Sequence, residues 1–522
     1  MAAPHRQQGD GIDDDENMPE TLDAEDALEE IQDATAEGGM DIDDDENDDR
    51  EEIILQNDSI AYFDAHKDSV FAIAQHPTIP SLIATGGGEG DEDDAPGKGY
   101  VFDTSAVAGR PVLPPSYNAD PASAQQQLSH STGLTPLFAI DGHSDSVNAL
   151  AFTLPRGEYL VSGGLDGRLR AYQVAVDARN KASFRFVAEA QEVPEINWVA
   201  ACPAPQYANA VAIGGSDGSV WVYTVDAADA ANPLQIVQTY FLHAPAPCTA
   251  GAWSPDGALL ATVAEDGSLH VWDVWGTAAA AGLANDNGQT VVSLTSADAR
   301  FAVEGGLYSV AIDPRGGAFV AVGGAGGAIK IVGLPRLSSS SGGSEAQPPQ
   351  NSRQSKAKAK GASGTGSQAG VILADLAVQR DSVETLAFSP SQPLLAAGSV
   401  DGSIAVYDAS RGFAARKLNE AAHDEYSVVK VEFVRDVGDG WLLTSCGMDG
   451  VVKRWDVRSQ MATAAGGPRT GVVKADPARL VKEWRGHRGE GEGGGVLGFV
   501  QGATGERIVT AGDDGVALVF ET

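Results

Sequence analysis

Short runs of alternating apolar and polar residues recur along the chain, and successive runs are separated by a tight polar turn. Six of these turns contain Asp-Gly, with an aromatic residue five positions after the Gly. The pairs are Asp166 and Tyr172, Asp217 and Tyr223, Asp266 and Trp272, Asp401 and Tyr407, Asp449 and Trp455, and Asp514 and Phe520. Alternating strands joined by a Gly-containing turn indicate β-hairpins.

Most spacings between these turns are about 50 residues, which is the range of β-propeller blades. Eight units begin near His66, His143, Glu195, His243, Gly305, Asp381, His423 and His487. In the fifth unit Gly326-Gly327 replaces Asp-Gly, and the first unit has an enlarged turn at 88–99. The sequence therefore predicts an all-β, eight-bladed propeller, with seven blades as the alternative if the fifth or first unit is not a blade.

The two ends of the repeat region predict how the ring closes. The last unit ends after the apolar run 517–520 and lacks an outer strand, while a spare apolar run at 59–63 precedes the first unit. Pairing these two segments would complete the last sheet and remove exposed strand edges.

Several landmarks resemble the WD40 family, whose repeats run from Gly-His to Trp-Asp. Gly142-His143, Gly486-His487, Trp272-Asp273 and Trp455-Asp456 match this pattern. The resemblance implies a buried hydrogen-bond chain in each complete blade. Its members are His243, Thr262, Asp266 and Trp272, and again His423, Ser445, Asp449 and Trp455. Such a chain stabilises a blade only when every member is satisfied, so we expect these histidines to be structural.

The formal net charge of −38 is distributed unevenly. Residues 1–52 hold 22 acidic residues against two Arg, which predicts a disordered tail ahead of a propeller spanning 53–522. The tail is either a solubility segment or an electrostatic arm for a basic ligand. Low-complexity insertions are expected at about 104–135 and 338–370.

Composition and motifs also bear on function. Glycine-rich segments such as 214–218 lead into another strand rather than a helix, so they do not form phosphate loops. We find no catalytic, metal-binding or cofactor motif and expect no enzyme activity and no cofactor. The propeller carries 51 acidic against 33 basic residues, which disfavours direct nucleic-acid binding. Three scattered cysteines and the lack of a signal peptide or membrane span favour a location in the cytoplasm, and we expect the protein in the nucleus as well. We also expect a monomer.

An anionic propeller attracts basic proteins. In this fold the loops before the inner strands and the Asp-Gly turns share one face, so we expect partner-binding residues there. The predicted acids are Glu195, Glu265, Glu384 and Asp513, joined by Asp91, Glu92, Asp93 and Asp94 in the enlarged turn. Phe71 and Tyr308 are the aromatic residues predicted beside them.

The acidic tail, the eight units and the anionic face together resemble a subgroup of WD40 proteins, the fungal ribosome-assembly WD proteins related to the animal angio-associated migratory cell protein. This resemblance implies a dedicated chaperone that captures the basic N-terminal segment of a new large-subunit ribosomal protein during 60S assembly. A histone-binding propeller and a signalling or ubiquitin-ligase adaptor are the alternatives.

Overall fold

The computed structural model describes residues 57–90, 95–107, 132–177, 181–337, 368–458, 477–489 and 494–522. The predicted tail 1–52 and the acidic turn residues Asp91 to Asp94 lie outside the described residues, as does most of the 338–370 insertion. The chain divides into two units, Met1–Ile54 and Leu55–Thr522, and every strand of the described residues belongs to the second unit.

The described strands form eight sheets, so the eight-bladed prediction is confirmed and the seven-bladed alternative is wrong. Blade 1 contains β2 (Val70–Gln75), β3 (Leu82–Gly88), β4 (Gly97–Asp103) and β6 (Pro136–Ile140). Blade 2 contains β7 (Val147–Phe152), β8 (Tyr159–Gly164), β9 (Arg168–Val176) and β10 (Ala182–Gln191). Blade 3 contains β11 (Ile196–Ala201), β12 (Ala210–Gly215), β13 (Val220–Val225) and β14 (Leu234–Tyr240). Blade 4 contains β15 (Cys248–Trp253), β16 (Leu259–Ala264), β17 (Leu269–Asp273) and β18 (Thr290–Leu294).

The fifth unit forms a full blade despite its missing Asp-Gly. Blade 5 contains β19 (Leu307–Ile312), β20 (Phe319–Gly324), β21 (Ala328–Gly333) and β22 (Ile372–Ala377). Blade 6 contains β23 (Val383–Phe388), β24 (Leu394–Ser399), β25 (Ile404–Asp408) and β26 (Ala414–Asn419). Blade 7 contains β27 (Val428–Phe433), β28 (Leu442–Gly447), β29 (Val452–Asp456) and β30 (Arg479–Trp484). Blade 8 contains β31 (Val496–Val500), β32 (Arg507–Gly512), β33 (Ala517–Glu521), β1 (Ala61–Phe63) and β5 (Thr132–Gly133).

In the described residues the helices are short and lie in the connections between strands. There, an α-helix spans Thr277–Ala280, and 3-10 turns span Ser105–Val107, Pro205–Tyr207, Ala325–Gly327, Ala409–Arg411 and Gly438–Gly440. None of the helices in the described ranges is long and apolar enough to cross a membrane.

The hydrophobic core lies between neighbouring blades. The first strand of each sheet packs against the first strand of the next sheet, and β31 packs against β2, so the inner strands form a closed ring. The second strands are buried along their length, as in β8, β12 and β16. Between blades 3 and 4, for example, Cys202 and Val222 share one buried cluster with Leu260 and Trp272.

The predicted closure of the ring is confirmed. Strand β1 pairs antiparallel with β33, with Ala61 opposite Val519 and Phe63 opposite Ala517. A feature that the sequence did not predict lies on its other side, where β5 pairs with β1 in parallel. The predicted insertion 104–135 therefore includes ordered ends, because β5 and the turn Ser105–Val107 belong to the folded unit. Residues 108–131 lie outside the described residues.

The up-and-down order of each sheet sorts the loops onto two faces. Loops between the second and third strands lie at the same end as the loops that lead into each inner strand, because the strands are antiparallel. We call this end the turn face, and it contains the six Asp-Gly turns that the sequence pattern identified. Close packing fixes these turns: Gly218 has a φ of 79°, and a Cβ there would lie 2.4 Å from the Ala246 carbonyl oxygen in the next blade.

Candidate functional site

Every inner strand has a β-bulge directly after its first residue, at the end next to the turn face. The ladder with the second strand shifts register at this point in all eight blades. Bulges re-aim the extra residue away from the regular ladder. We call these eight residues the bulge ring: Phe71, Asn148, Asn197, Thr249, Tyr308, Glu384, Val429 and Leu497.

Three neighbouring members of the bulge ring tie the blades together. The side chains of Asn148 and Asn197 donate hydrogen bonds to the carbonyl oxygens of Ile196 and Cys248, at 2.7 and 3.0 Å. The Thr249 hydroxyl donates likewise to the Leu307 carbonyl oxygen. Each acceptor is the first residue of the next inner strand, so these polar residues serve the ring itself. These three residues were not predicted from the sequence, although a polar residue at this strand position in three successive blades is a visible signal.

Three other members were predicted for the partner-binding face. The structure places Phe71, Tyr308 and Glu384 at equivalent bulge positions in blades 1, 5 and 6. Phe71 is 42% exposed, Glu384 is exposed and Tyr308 is half-buried. The sequence therefore located three equivalent positions without showing that a bulge creates them.

Glu265 and Tyr308 come together around a glycine. A Cβ added to Gly306 would lie 3.0 Å from the Cα of Glu265 and 3.1 Å from Cζ of Tyr308. Glu265 belongs to the Asp-Gly turn of blade 4, and its N–H donates to the Pro247 carbonyl oxygen. The exposed Glu265 of blade 4 and the half-buried Tyr308 of blade 5 therefore both border Gly306 and present an acidic and an aromatic side chain at this junction.

Glu384 lies in an anionic environment. Although the side chain is solvent-accessible, desolvation by the surrounding protein raises the pKa of its carboxyl group, and the negative charge of Asp381 raises it further. A cation placed beside Glu384 would offset both effects, because it would favour the charged carboxylate. This position therefore suits a Lys or Arg side chain from a partner.

The other predicted acids differ in the hydrogen bonds that they make and in their exposure. The Asp513 carboxylate accepts a hydrogen bond of 2.6 Å from the Ser69 hydroxyl, which links blade 8 to the residues just before Phe71. Glu195 is exposed, and its backbone carbonyl accepts a hydrogen bond from the N–H of Ser216. Asp91, Glu92, Asp93 and Asp94 lie outside the described residues.

Blade 1 also brings two lysines to this face. Lys67 lies 2.7 Å from Glu89, and Lys98 lies 3.5 Å from both Glu89 and Asp141. The acidic character of the turn face is therefore partly neutralised in blade 1. It is better maintained from blade 3 to blade 6, where Glu195, Glu265, Asp381 and Glu384 lie.

The histidine networks lie beneath this face and are buried. In blade 7, His423 bonds through Nδ1 to Asp449 at 2.9 Å and through Nε2 to Ser445 at 2.7 Å. The Trp455 indole donates to the same Ser445 hydroxyl at 2.8 Å. His143 and His487 bond in the same direct way to Asp166 and Asp514. In the ranges that the structure describes, no group of His, Cys, Asp or Glu could hold a metal ion.

Blade 4 departs from the predicted chain. His243 bonds through Nε2 to Thr262, and Trp272 donates to Thr262, but Nδ1 of His243 meets the Ser268 hydroxyl at 2.6 Å instead of Asp266. Ser268 in turn donates to Asp266. The chain of His243, Thr262, Asp266 and Trp272 thus has a fifth member. The reason is visible in the sequence, because the residue after Asp-Gly is Ser in blade 4 and Val451 or Val516 in blades 7 and 8.

Comparisons with known proteins agree with this geometry. The WD40 family model, described as WD domain, G-beta repeat, matches residues 134–173, 234–273 and 371–408. The ribosome assembly protein SQT1 of Saccharomyces cerevisiae is 26% identical over 509 residues, covering 92% of each chain. The human angio-associated migratory cell protein is 24% identical over 476 residues, covering 89% of this chain and 80% of its own.

Solved structures give a higher similarity. The crystal structure of Chaetomium thermophilum Sqt1 is 58% identical, with a TM-score of 0.73, and the match covers 90% of this chain and 98% of that one. A second crystal structure shows the same Sqt1 bound to the N-terminus of the ribosomal protein L10, with the same identity and TM-score. An identity this high over nearly a whole solved chain shows that this protein belongs to the Sqt1 family of WD40 β-propellers.

Proposed function

We propose that this protein is a non-catalytic chaperone that holds the basic N-terminal segment of ribosomal protein L10 on its turn face until the protein joins the large ribosomal subunit. The observation that carries the proposal is the 58% identical Sqt1 structure bound to the L10 N-terminus. The acidic surface of Glu195, Glu265, Tyr308 and Glu384 supplies the matching chemistry in this chain.

The physical logic is charge complementarity. Ribosomal proteins carry basic segments that bind RNA, and an anionic surface can occupy such a segment in place of RNA. Glu265 and Glu384 are accessible, and the raised pKa of Glu384 fits a site that lacks a compensating cation. Opposite charges across an interface steer association and suppress wrong partners. All three cysteines are buried free thiols, and the proposal places the protein in the cytoplasm and nucleus, where thiols stay reduced.

The test is calorimetry of the full chain with a synthetic L10 N-terminal peptide. Glu265→Lys and Glu384→Lys should each weaken binding on the order of tenfold, because a like charge then faces the peptide. The matched control is Glu506→Lys, an exposed acid in the β31–β32 loop at the opposite face. Circular dichroism reports whether each variant is folded.

Two results would refute the proposal. One is a wild-type protein that does not bind the L10 peptide. The other is a pair of folded variants that bind as tightly as the wild type and the Glu506→Lys control. A histone tail peptide of equal charge should bind more weakly than the L10 peptide, and equal or tighter binding would favour a histone-binding propeller.

A further inference from the structure

The chemistry of the turn face changes around the bulge ring, whose polar members in blades 2 to 4 bond to neighbouring blades. Blades 3 to 6 present the acidic and aromatic surface described above. Blades 7, 8 and 1 present Val429, Leu497 and Phe71, so three consecutive blades have an apolar residue at the bulge. The inner strands of these blades pack against one another, which makes the sector continuous.

Two of these side chains do not contribute to the core. Phe71 is 42% exposed and Leu497 is partly exposed, and neither belongs to a buried cluster of the described residues, whereas Val429 packs against the cluster of Trp484 and Val496. Met448, in the Asp-Gly turn of blade 7, lies against the loop that leads into the inner strand of blade 8, because a Cβ on Gly495 would come within 2.6 Å of its Cε and Sδ atoms. We call Phe71, Met448 and Leu497, which lie on the turn face in blades 1, 7 and 8, the apolar sector.

The charges at its edges indicate what covers this sector. Asp513, bonded to Ser69, lies on one side of Phe71, and Glu384 lies in blade 6, next to blade 7. An apolar surface within an anionic face fits a segment that carries both cationic and apolar side chains. A purely basic segment would leave Phe71 and Leu497 exposed to water.

From this arrangement we infer that the apolar sector is a specificity pocket for a bulky apolar side chain of the same basic segment that the acidic sector attracts. This inference rests on the proposed function and adds a second contact to it, an apolar one beside the electrostatic one. The acidic sector draws in cationic chains in general, and the apolar sector selects the chain whose apolar residue fits. Such a division lets an anionic chaperone distinguish one client from the many other basic ribosomal proteins.

The double variant Phe71→Ala/Leu497→Ala tests the pocket. Calorimetry with the L10 N-terminal peptide should show at least about tenfold weaker binding, because an apolar side chain of the peptide loses its buried contacts. The control is Phe186→Ala/Leu480→Ala, which removes a Phe and a Leu that are 42% and 45% exposed from the outer strands of blades 2 and 7. The control should bind as the wild type does.

Salt distinguishes this pocket from the acidic sector. At 1 M salt, where charges are screened within about 3 Å, the deficit of Phe71→Ala/Leu497→Ala should persist while that of Glu384→Lys shrinks. An oligo-lysine peptide of equal charge should bind the wild type and the double variant equally.

Binding data can contradict the apolar pocket without contradicting the proposed function. If the wild type binds the L10 peptide and Glu384→Lys weakens it, but Phe71→Ala/Leu497→Ala binds like its control, the apolar sector is not a pocket. An alanine scan of the peptide in which no apolar position affects affinity would overturn it equally.

Discussion

At the scale of single residues, the choice of the side chain after Asp-Gly decides how a blade is held together. A Val at this position leaves Asp449 and Asp514 free to contact His423 and His487 directly. A Ser inserts its hydroxyl, as Ser268 does between Asp266 and His243. In blade 6 the buried Gln379 takes the place of the histidine and bonds to Ser403, which again follows Asp-Gly. The same turn sequence therefore supports two kinds of network.

These two networks predict different coupling energies. In a double-mutant cycle, His423→Ala and Asp449→Ala should each cost about 1–3 kcal/mol, and together less than the sum, because they share one hydrogen bond. The pair His243→Ala and Asp266→Ala should show a smaller coupling, since Ser268 separates them. Urea unfolding measures both cycles. Equal coupling in the two blades would show that Ser268 does not intervene in solution.

Burial of histidines also makes stability depend on pH. Desolvation lowers the pKa of His243 to about 3, aided by the nearby His270, and lowers that of His270 to about 4. The unfolded chain takes up these protons near pH 6.5, but the folded chain cannot. The contribution of each histidine is therefore complete above pH 6.5 and is lost as the pH falls, toward about 4 for His270 and about 3 for His243.

We expect the free energy of unfolding to fall by up to about 1.4 kcal/mol per pH unit for each such histidine below pH 6.5. Replacing His270→Gln should make this dependence shallower, because one titrating group is removed. Thermal unfolding between pH 7 and pH 4.5 measures it. A variant with the wild-type slope would mean that His270 titrates normally in the folded protein.

At the scale of elements, the ring depends on a strand borrowed from outside the repeats. Ala61 and Phe63 of β1 are fully buried, and Phe63 stacks on Phe102 of blade 1 with ring centroids 4.5 Å apart. β1 thus completes the sheet of blade 8 and contributes to the core beside blade 1.

Deletions at the N-terminal end should distinguish the contribution of the tail to stability from that of β1. Removing residues 1–52 should leave the melting temperature unchanged, whereas removing residues 1–65 should lower it markedly because β1 is lost. Phe63→Ala alone should cost about 3–5 kcal/mol, the usual cost of removing a buried Phe side chain. Differential scanning calorimetry compares the three proteins. A lower melting temperature after removal of 1–52 would show that the tail contacts the propeller.

The sequence specified the blades more fully than the surface between them. Alternation and Asp-Gly turns are local signals, so the eight units and the pairing of 59–63 with the last sheet could be predicted. The approach of Glu265 and Tyr308 to Gly306 could not, because Gly306 lies at a junction between two blades. The bulge after Val383 could not be predicted either, because no particular residue type indicates a bulge. It nevertheless sets the position of Glu384.

At the scale of the whole molecule, the net charge affects how fast a partner approaches, before any contact forms. The chain carries a net charge of −38, and 22 of its acidic residues lie in residues 1–52. A field of this size raises the rate at which a basic segment meets the turn face. Added salt should therefore slow association steeply, since charges are screened within about 8 Å at physiological ionic strength.

The acidic turn of blade 1 offers a test of this steering. Neutralising it as Asp91→Asn, Glu92→Gln, Asp93→Asn and Asp94→Asn should lower the association rate for the L10 peptide and leave dissociation nearly unchanged. Stopped-flow fluorescence at several salt concentrations measures both rates. A change confined to the dissociation rate would place this turn in direct contact with the peptide instead.

The parallel strand β5 has a consequence for synthesis. β1 and its partner β33 are roughly 460 residues apart in sequence, so at about 5–20 residues per second β1 leaves the ribosome roughly 20–90 s before β33. β5 follows β1 by only about 70 residues and pairs with its other edge. An unpaired strand edge is a template for aggregation. By covering one edge of β1 early, β5 shortens the time during which the growing chain is at risk of misassembly.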